Sequence, residues 1–166
     1  PETERIFSMT AEPGALRLFG RESIASWFEQ ALVARRQQHF NFVTETELSF
    51  SPKDERQMAG LLLYYGRYNF HYLAVTAHSD GQRELLHISS EAGFPTGNSV
   101  CRGGPIQIPN ECRGRLRMDV RNSTLTYSYA LEGQNSFTET GVKLDASLIS
   151  DECGGHAEHG SFTGSF

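Results

Sequence analysis

Residues Asn41 to Phe50, Asn-Phe-Val-Thr-Glu-Thr-Glu-Leu-Ser-Phe, constrain the fold most. Strict alternation puts Phe42, Thr44, Thr46, Leu48 and Phe50 on one face and Glu45 and Glu47 on the other. A helix would smear this pattern around its circumference; a strand with one dry and one wet face preserves it. The run stops at Ser51-Pro-Lys-Asp54, where proline and aspartate favour a turn. The same rhythm recurs along the chain. Ala15 to Phe19 stops at Gly20, and Met58 to Tyr65 is a continuous apolar run suited to a strand buried on both faces. Asn69 to Thr76 follows as its hairpin partner across Gly66-Arg-Tyr68, and Ser79-Asp-Gly-Gln82 turns the chain into Glu84 to Ser89. Gly114 to Val120 and Thr124 to Leu131 flank Arg121-Asn-Ser123 as a further hairpin, closed by Glu132-Gly-Gln-Asn135. Short strands at such spacing predict an all-β, two-sheet antiparallel β-sandwich of jelly-roll type over residues 1–166, read as one domain.

One segment resists. Ile24, Trp27, Phe28 and Leu32 lie at helical spacing, yet a loop entering a strand at Ala31 to Arg36 fits the same residues. Residues alone leave both open. At 166 residues the chain is long enough for a core without staples. Fifteen Lys and Arg against 20 Asp and Glu leave a net charge of -5, which argues against nucleic acid or an anionic membrane as partner. No apolar run approaches the length of a bilayer span. Cys101, Cys112 and Cys153 cannot all pair with one another, so reduced thiols and a bacterial-type cytoplasmic setting are expected.

Four places in the chain could carry chemistry. Cys153-Gly-Gly-His156-Ala-Glu-His159 holds three soft or borderline ligands, but in a Gly-rich stretch with no evident fourth ligand; no metal is expected. Asp145, Asp151 and Glu152 form a close acidic set near apolar residues. Glycoside cleavage uses paired carboxylates, but Asp151 and Glu152 are neighbours in an apparent loop, and a solvated face explains them better. Tyr64, Tyr65, Tyr68, Phe70 and Tyr72 crowd one hairpin, where they could stack on sugar rings, although filling a sandwich core is the plainer reading. Asn122-Ser-Thr124 matches a glycosylation sequon in what reads simply as a turn. There is no GxSxG, GxGxxG, P-loop or HExxH pattern, and no cofactor is expected.

Leu18-Phe-Gly-Arg-Glu-Ser-Ile24, Phe28-Glu-Gln30, Val33-Ala-Arg-Arg-Gln37, Phe40-Asn-Phe42 and Gln57-Met-Ala-Gly-Leu61 occur in that order. Tyr64-Tyr65, Asn69-Phe-His-Tyr72, Leu148-Ile-Ser-Asp-Glu152 and Phe162-Thr-Gly-Ser-Phe166 continue the series. Together they resemble the C-terminal domain of glycoside hydrolase family 43 β-xylosidases over nearly the whole chain. The resemblance implies a concanavalin A-like sandwich packed on a β-propeller that carries the catalytic carboxylates, so none is expected in this chain. It implies an inverting exo-enzyme releasing xylose from xylo-oligosaccharides, with arabinofuranosidase side activity, in which this domain shapes the pocket and supports assembly, homo-oligomeric assembly included. It turns Ser26 to Arg36 into a loop entering a strand.

The position matching the family's pocket aromatic is Phe162, with Ser161 standing where relatives often carry a second aromatic. Flanking glycines would let backbone approach a partner domain. The family continues for about two strands past the position of Phe166, so a sandwich lacking its last strands, with edges exposed, is expected. Gly93 to Gly104 reads as a surface loop with no assigned role. The alternative of another class is a free-standing carbohydrate-binding module using the hairpin aromatics.

Overall fold

The computed structural model describes residues 5–91, 99–110, 113–150 and 153. The chain divides into two compact units, Pro1–Arg35 and Arg36–Phe166. In the first, β1 (Phe7–Ser8) and β2 (Arg17–Leu18) form a short antiparallel hairpin. Residues 23–35 follow it without a helix, so the helical reading of Ile24 to Leu32 fails. Hydrogen bonds that helical geometry would not make hold this loop: Glu22 N–H donates to Glu29 C=O at 3.1 Å, and the Gln30 side chain donates to Ser26 C=O at 2.9 Å. Strand geometry does not cover residues 31–35, where the alternative reading of these residues puts it; Arg36 makes a β-bridge, so the segment is a loop leading to strand pairing.

The second unit is all-β. One sheet has four antiparallel strands in the order β11 (Thr138–Asp145), β10 (Thr124–Leu131), β9 (Arg113–Arg121), β3 (Asn41–Ser49). The other runs β4 (Ala59–Gly66), β5 (Asn69–Ala77), β6 (Arg83–Ser90), β7 (Ser99–Cys101), with β8 (Ile106–Gln107) also pairing with β6. Leu61, Leu63, Leu73, Val75 and Leu85 of the second sheet join Leu116, Met118, Val120, Leu125, Tyr127 and Leu144 of the first in one core. Two sheets closing on one dry layer make an antiparallel sandwich, as expected from the alternating runs.

Each strand carries its own reason. The exposed and half-buried residues of β3 alternate without a break, with Phe42 and Leu48 turned to the core. On the wet face Glu45 meets Arg117 at 2.5 Å, and Glu47 meets Arg113 at 3.9 Å. Arg117 and Arg115 also lie 3.9 and 4.9 Å from the ring centre of Phe137, so cation–π stacking adds to that exposed face. Every residue of β5 is buried, because this central strand is covered on both faces.

Gly60 on β4 is required by close approach. A Cβ there would stand 2.0 Å from the carbonyl oxygen of Leu73 on the neighbouring strand. β11 departs from a regular register against β10. Thr126 faces Lys143 while Ser128 faces Glu139, so β11 bulges between them, with Gly141 at φ +80°.

Candidate functional site

Of the residues singled out in the sequence, Phe162, with Ser161, Thr163 and Gly164, lies outside the described residues. So do Asp151, Glu152, Cys112, His156 and His159, and the first half of the Gly93 to Gly104 segment; its second half is not all loop, since Ser99–Cys101 form β7 against β6. Cys153 is described and exposed. Among the described residues no three His, Cys, Asp or Glu side chains are grouped to hold a metal ion, and no helix is long and apolar enough to cross a membrane.

Asp145 has a local task. Its carboxylate accepts from the Ser147 N–H at 2.9 Å and from the Ser147 hydroxyl at 2.6 Å, capping the short 3-10 turn Ala146–Leu148. A carboxylate so engaged is poorly placed to be half of a catalytic acid pair.

The aromatic hairpin turns mostly inward. Phe70 is fully buried and Tyr72 nearly so, Tyr64 stacks on Phe70 with centroids 6.4 Å apart, and Tyr65 packs against the core. Burial pushes the Tyr72 phenol well above its ordinary range. Tyr68, at the turn, carries the guanidinium of Arg67 over its ring at 4.4 Å and accepts a hydrogen bond from it. The packing reading therefore accounts for these rings better than a sugar platform does, and the binding-module alternative loses its principal support.

What the tertiary structure assembles instead is a polar layer inside the sandwich. His71 and His87 both project from the β4–β7 sheet toward β11 across the gap. His71 Nε2 lies 2.9 Å from the carbonyl oxygen of Asp145, which can only accept, so Nε2 carries the proton. Its Nδ1, 2.8 Å from Ser89 Oγ, then accepts from that hydroxyl. Tyr127 donates to the His71 carbonyl at 2.8 Å. Thr140 donates to the Tyr127 carbonyl at 2.9 Å, which leaves its oxygen to accept from His87 Nε2, also at 2.9 Å. His87 Nδ1 is buried without a hydrogen-bond partner among the described residues. Asn69 extends the layer by donating from its amide to Leu148 C=O at 3.1 Å.

Ser89, His71 and Asp145 echo a nucleophile triad by residue type, but not by geometry. The aspartate contributes a main-chain carbonyl, Ser89 and His71 are 0% exposed, and no substrate could reach the hydroxyl. Burial holds both imidazoles below their ordinary pKa of 6.5. Facing His71, the Asp145 carbonyl and the charges of Glu91 and Asp145 oppose that shift, and Arg102 reinforces it. The layer is a neutral hydrogen-bonded tie between sheets. Its signal in the sequence was the polar residues sharing a face with apolar ones: Asn69 and His71 with Leu73 and Val75, His87 and Ser89 with Leu85.

Comparison with known proteins places this architecture. The chain is 59% identical to a xylosidase/arabinosidase 43B of Humicola insolens over its full length, and 34% identical to a β-xylosidase of Bacillus subtilis, again over its full length. It superposes on the crystal structure of a xylan β-1,4-xylosidase from Bacillus halodurans with a TM-score of 0.84 at 32% identity, covering 97% of this chain. It spans 31% of the Humicola protein and 30% of each of the others. The β-xylosidase C-terminal concanavalin A-like domain family matches residues 1–166 from end to end. With sandwich, family match and relatives in agreement, this chain belongs to the β-xylosidase C-terminal concanavalin A-like domains.

Proposed function

We propose that this chain serves as the accessory sandwich of a family 43 β-xylosidase acting on xylo-oligosaccharides, with arabinofuranosidase side activity, and that it walls the substrate pocket of a propeller domain bearing the catalytic carboxylates. The observation that carries this reading is proportion. The family match fills the whole chain, yet the chain corresponds to about 30% of enzymes named as xylosidases. In such an arrangement the chemistry belongs to the partner domain, which would cleave with inversion through a general acid and a general base. The sandwich contributes an apolar wall that excludes water and orients the sugar.

Phe162 is the residue assigned to that wall. In an enzyme joining this chain to its catalytic domain, Phe162→Ala is expected to lower kcat/KM for xylobiose by about tenfold, an activation difference near 1.4 kcal/mol, with the thermal transition unchanged. An unchanged kcat/KM removes Phe162 from the pocket. Titration of the 166-residue chain alone with xylotriose separates the accessory role from the module. Binding tighter than about millimolar without a catalytic domain favours the module.

A further inference from the structure

Asn122, Ser123 and Thr124 form the only Asn-X-Ser/Thr sequence in the chain, and the structure puts all three at an exposed hairpin tip. Arg121 pairs with Thr124, so Asn122 and Ser123 are the whole loop between β9 and β10. Asn122 adopts φ 54°, a left-handed conformation that asparagine tolerates better than most residues. The turn uses the main chain of this residue: its N–H donates to the Asn41 side chain at 2.8 Å, while the Ser123 carbonyl accepts from the Ala146 N–H at 2.8 Å. Among the described residues the Asn122 side-chain amide makes no hydrogen bond. Its backbone is committed and its side chain is not.

We propose that Asn122 is an acceptor site for an N-linked oligosaccharide. The donor class is a lipid-linked pyrophosphoryl oligosaccharide. Asn122 Nδ2 bonds to C1 of the first sugar, the C1–oxygen bond to pyrophosphate breaks with its electron pair going to the lipid pyrophosphate, and Nδ2 loses one proton to the transferase. No redox step is involved. The transferase meets the extended nascent chain, and once the hairpin closes, the glycan projects from a tip whose four residues, Arg121 to Thr124, are all exposed. No buried group need move to accommodate it. The cytoplasmic setting expected from the unpaired thiols would withhold the transferase, so the experiment supplies it.

The full chain, secreted from a yeast host behind a signal sequence, is digested with peptide N-glycosidase and mapped by mass spectrometry. The expected result is a single mobility shift on digestion, with residue 122 converted to aspartate. Thr124→Val keeps a β-branched residue at the start of β10 and abolishes the shift; Thr124→Ser restores it. Secreted, folded wild-type protein bearing no glycan at Asn122 overturns the proposal, as does a digestion shift that persists in Thr124→Val.

Discussion

Replacing His71 by leucine should convert the inter-sheet tie into a liability. Leucine fills much of the imidazole's volume but can neither donate to Asp145 C=O nor accept from Ser89, bonds now 2.9 and 2.8 Å long. The buried Ser89 hydroxyl and the part-buried Asp145 carbonyl lose their partners, at about 1–3 kcal/mol each with the carbonyl at the low end; the added apolar contact offsets part of this, and a loss of about 3 kcal/mol is expected. For a unit of this size that corresponds to a fall in Tm of roughly 10 °C.

The same residue sets a pH signature. Both histidines have folded pKa values below the ordinary 6.5, so above that pH both states are neutral and stability is flat. As pH falls below 6.5 the unfolded chain takes up protons that the folded chain refuses, and stability drops until the folded pKa is passed. The limiting slope is about 1.4 kcal/mol per pH unit for each histidine. Urea unfolding followed by circular dichroism, which reports the sandwich strands, stays above the ordinary carboxylate range between about pH 5.5 and 7.5 and follows this contribution. The wild type should weaken steadily on acidification, and His71→Leu should show a shallower slope from a lower plateau. Stability that is constant or rises toward pH 5.5, or a His71→Leu protein as stable as the parent, refutes the assignment of the layer as a neutral hydrogen-bonded tie.

Gly60→Ala should be among the most damaging single-methyl additions in the sandwich. The new Cβ would meet Leu73 O at 2.0 Å and Ala74 Cα at 3.1 Å, both main-chain atoms of the adjoining strand, and a loss of about 3 kcal/mol in urea unfolding is expected. Wild-type stability in this variant would mean that β4 and β5 separate there without cost. Asp145→Ala removes both bonds to Ser147 and should cost about 1 kcal/mol, visible as faster amide hydrogen exchange at Ser147 and Ile149. Exchange unchanged at those amides would show that the turn holds without its cap.

Local alternation made most of the sandwich legible. β3, β5, β9 and β10 lie within a residue or so of where the apolar runs and turn residues put them, because in a half-buried strand period and burial are the same fact. β11 was missed for a physical reason. Thr140, Val142 and Leu144 do turn inward in alternation, but Gly141 sits among them with a positive φ where the register against β10 is irregular, and a glycine inside a short run reads as turn chemistry rather than strand. The spacing of Ile24, Trp27, Phe28 and Leu32 left a helix open that the resemblance turns into a loop, and the structure has no helix there. Trp27 and Phe28 are 67% and 86% exposed rather than gathered on one buried stripe. The aromatic hairpin illustrates a third limit, since a sequence places rings in strands without saying which face is covered.

The chain's own order of residues thus determined its class, the pairing of its hairpins and its family, all of which rest on local period and on motifs. Only the tertiary structure decided that Asp145 caps a turn and that the hairpin rings are mostly packing. It also joined His71 and His87 to β11 across the sandwich. The reason is distance along the chain. His71 and Asp145, or His87 and Thr140, meet only when two sheets close on one core, and no local pattern records which polar residue will find its partner there.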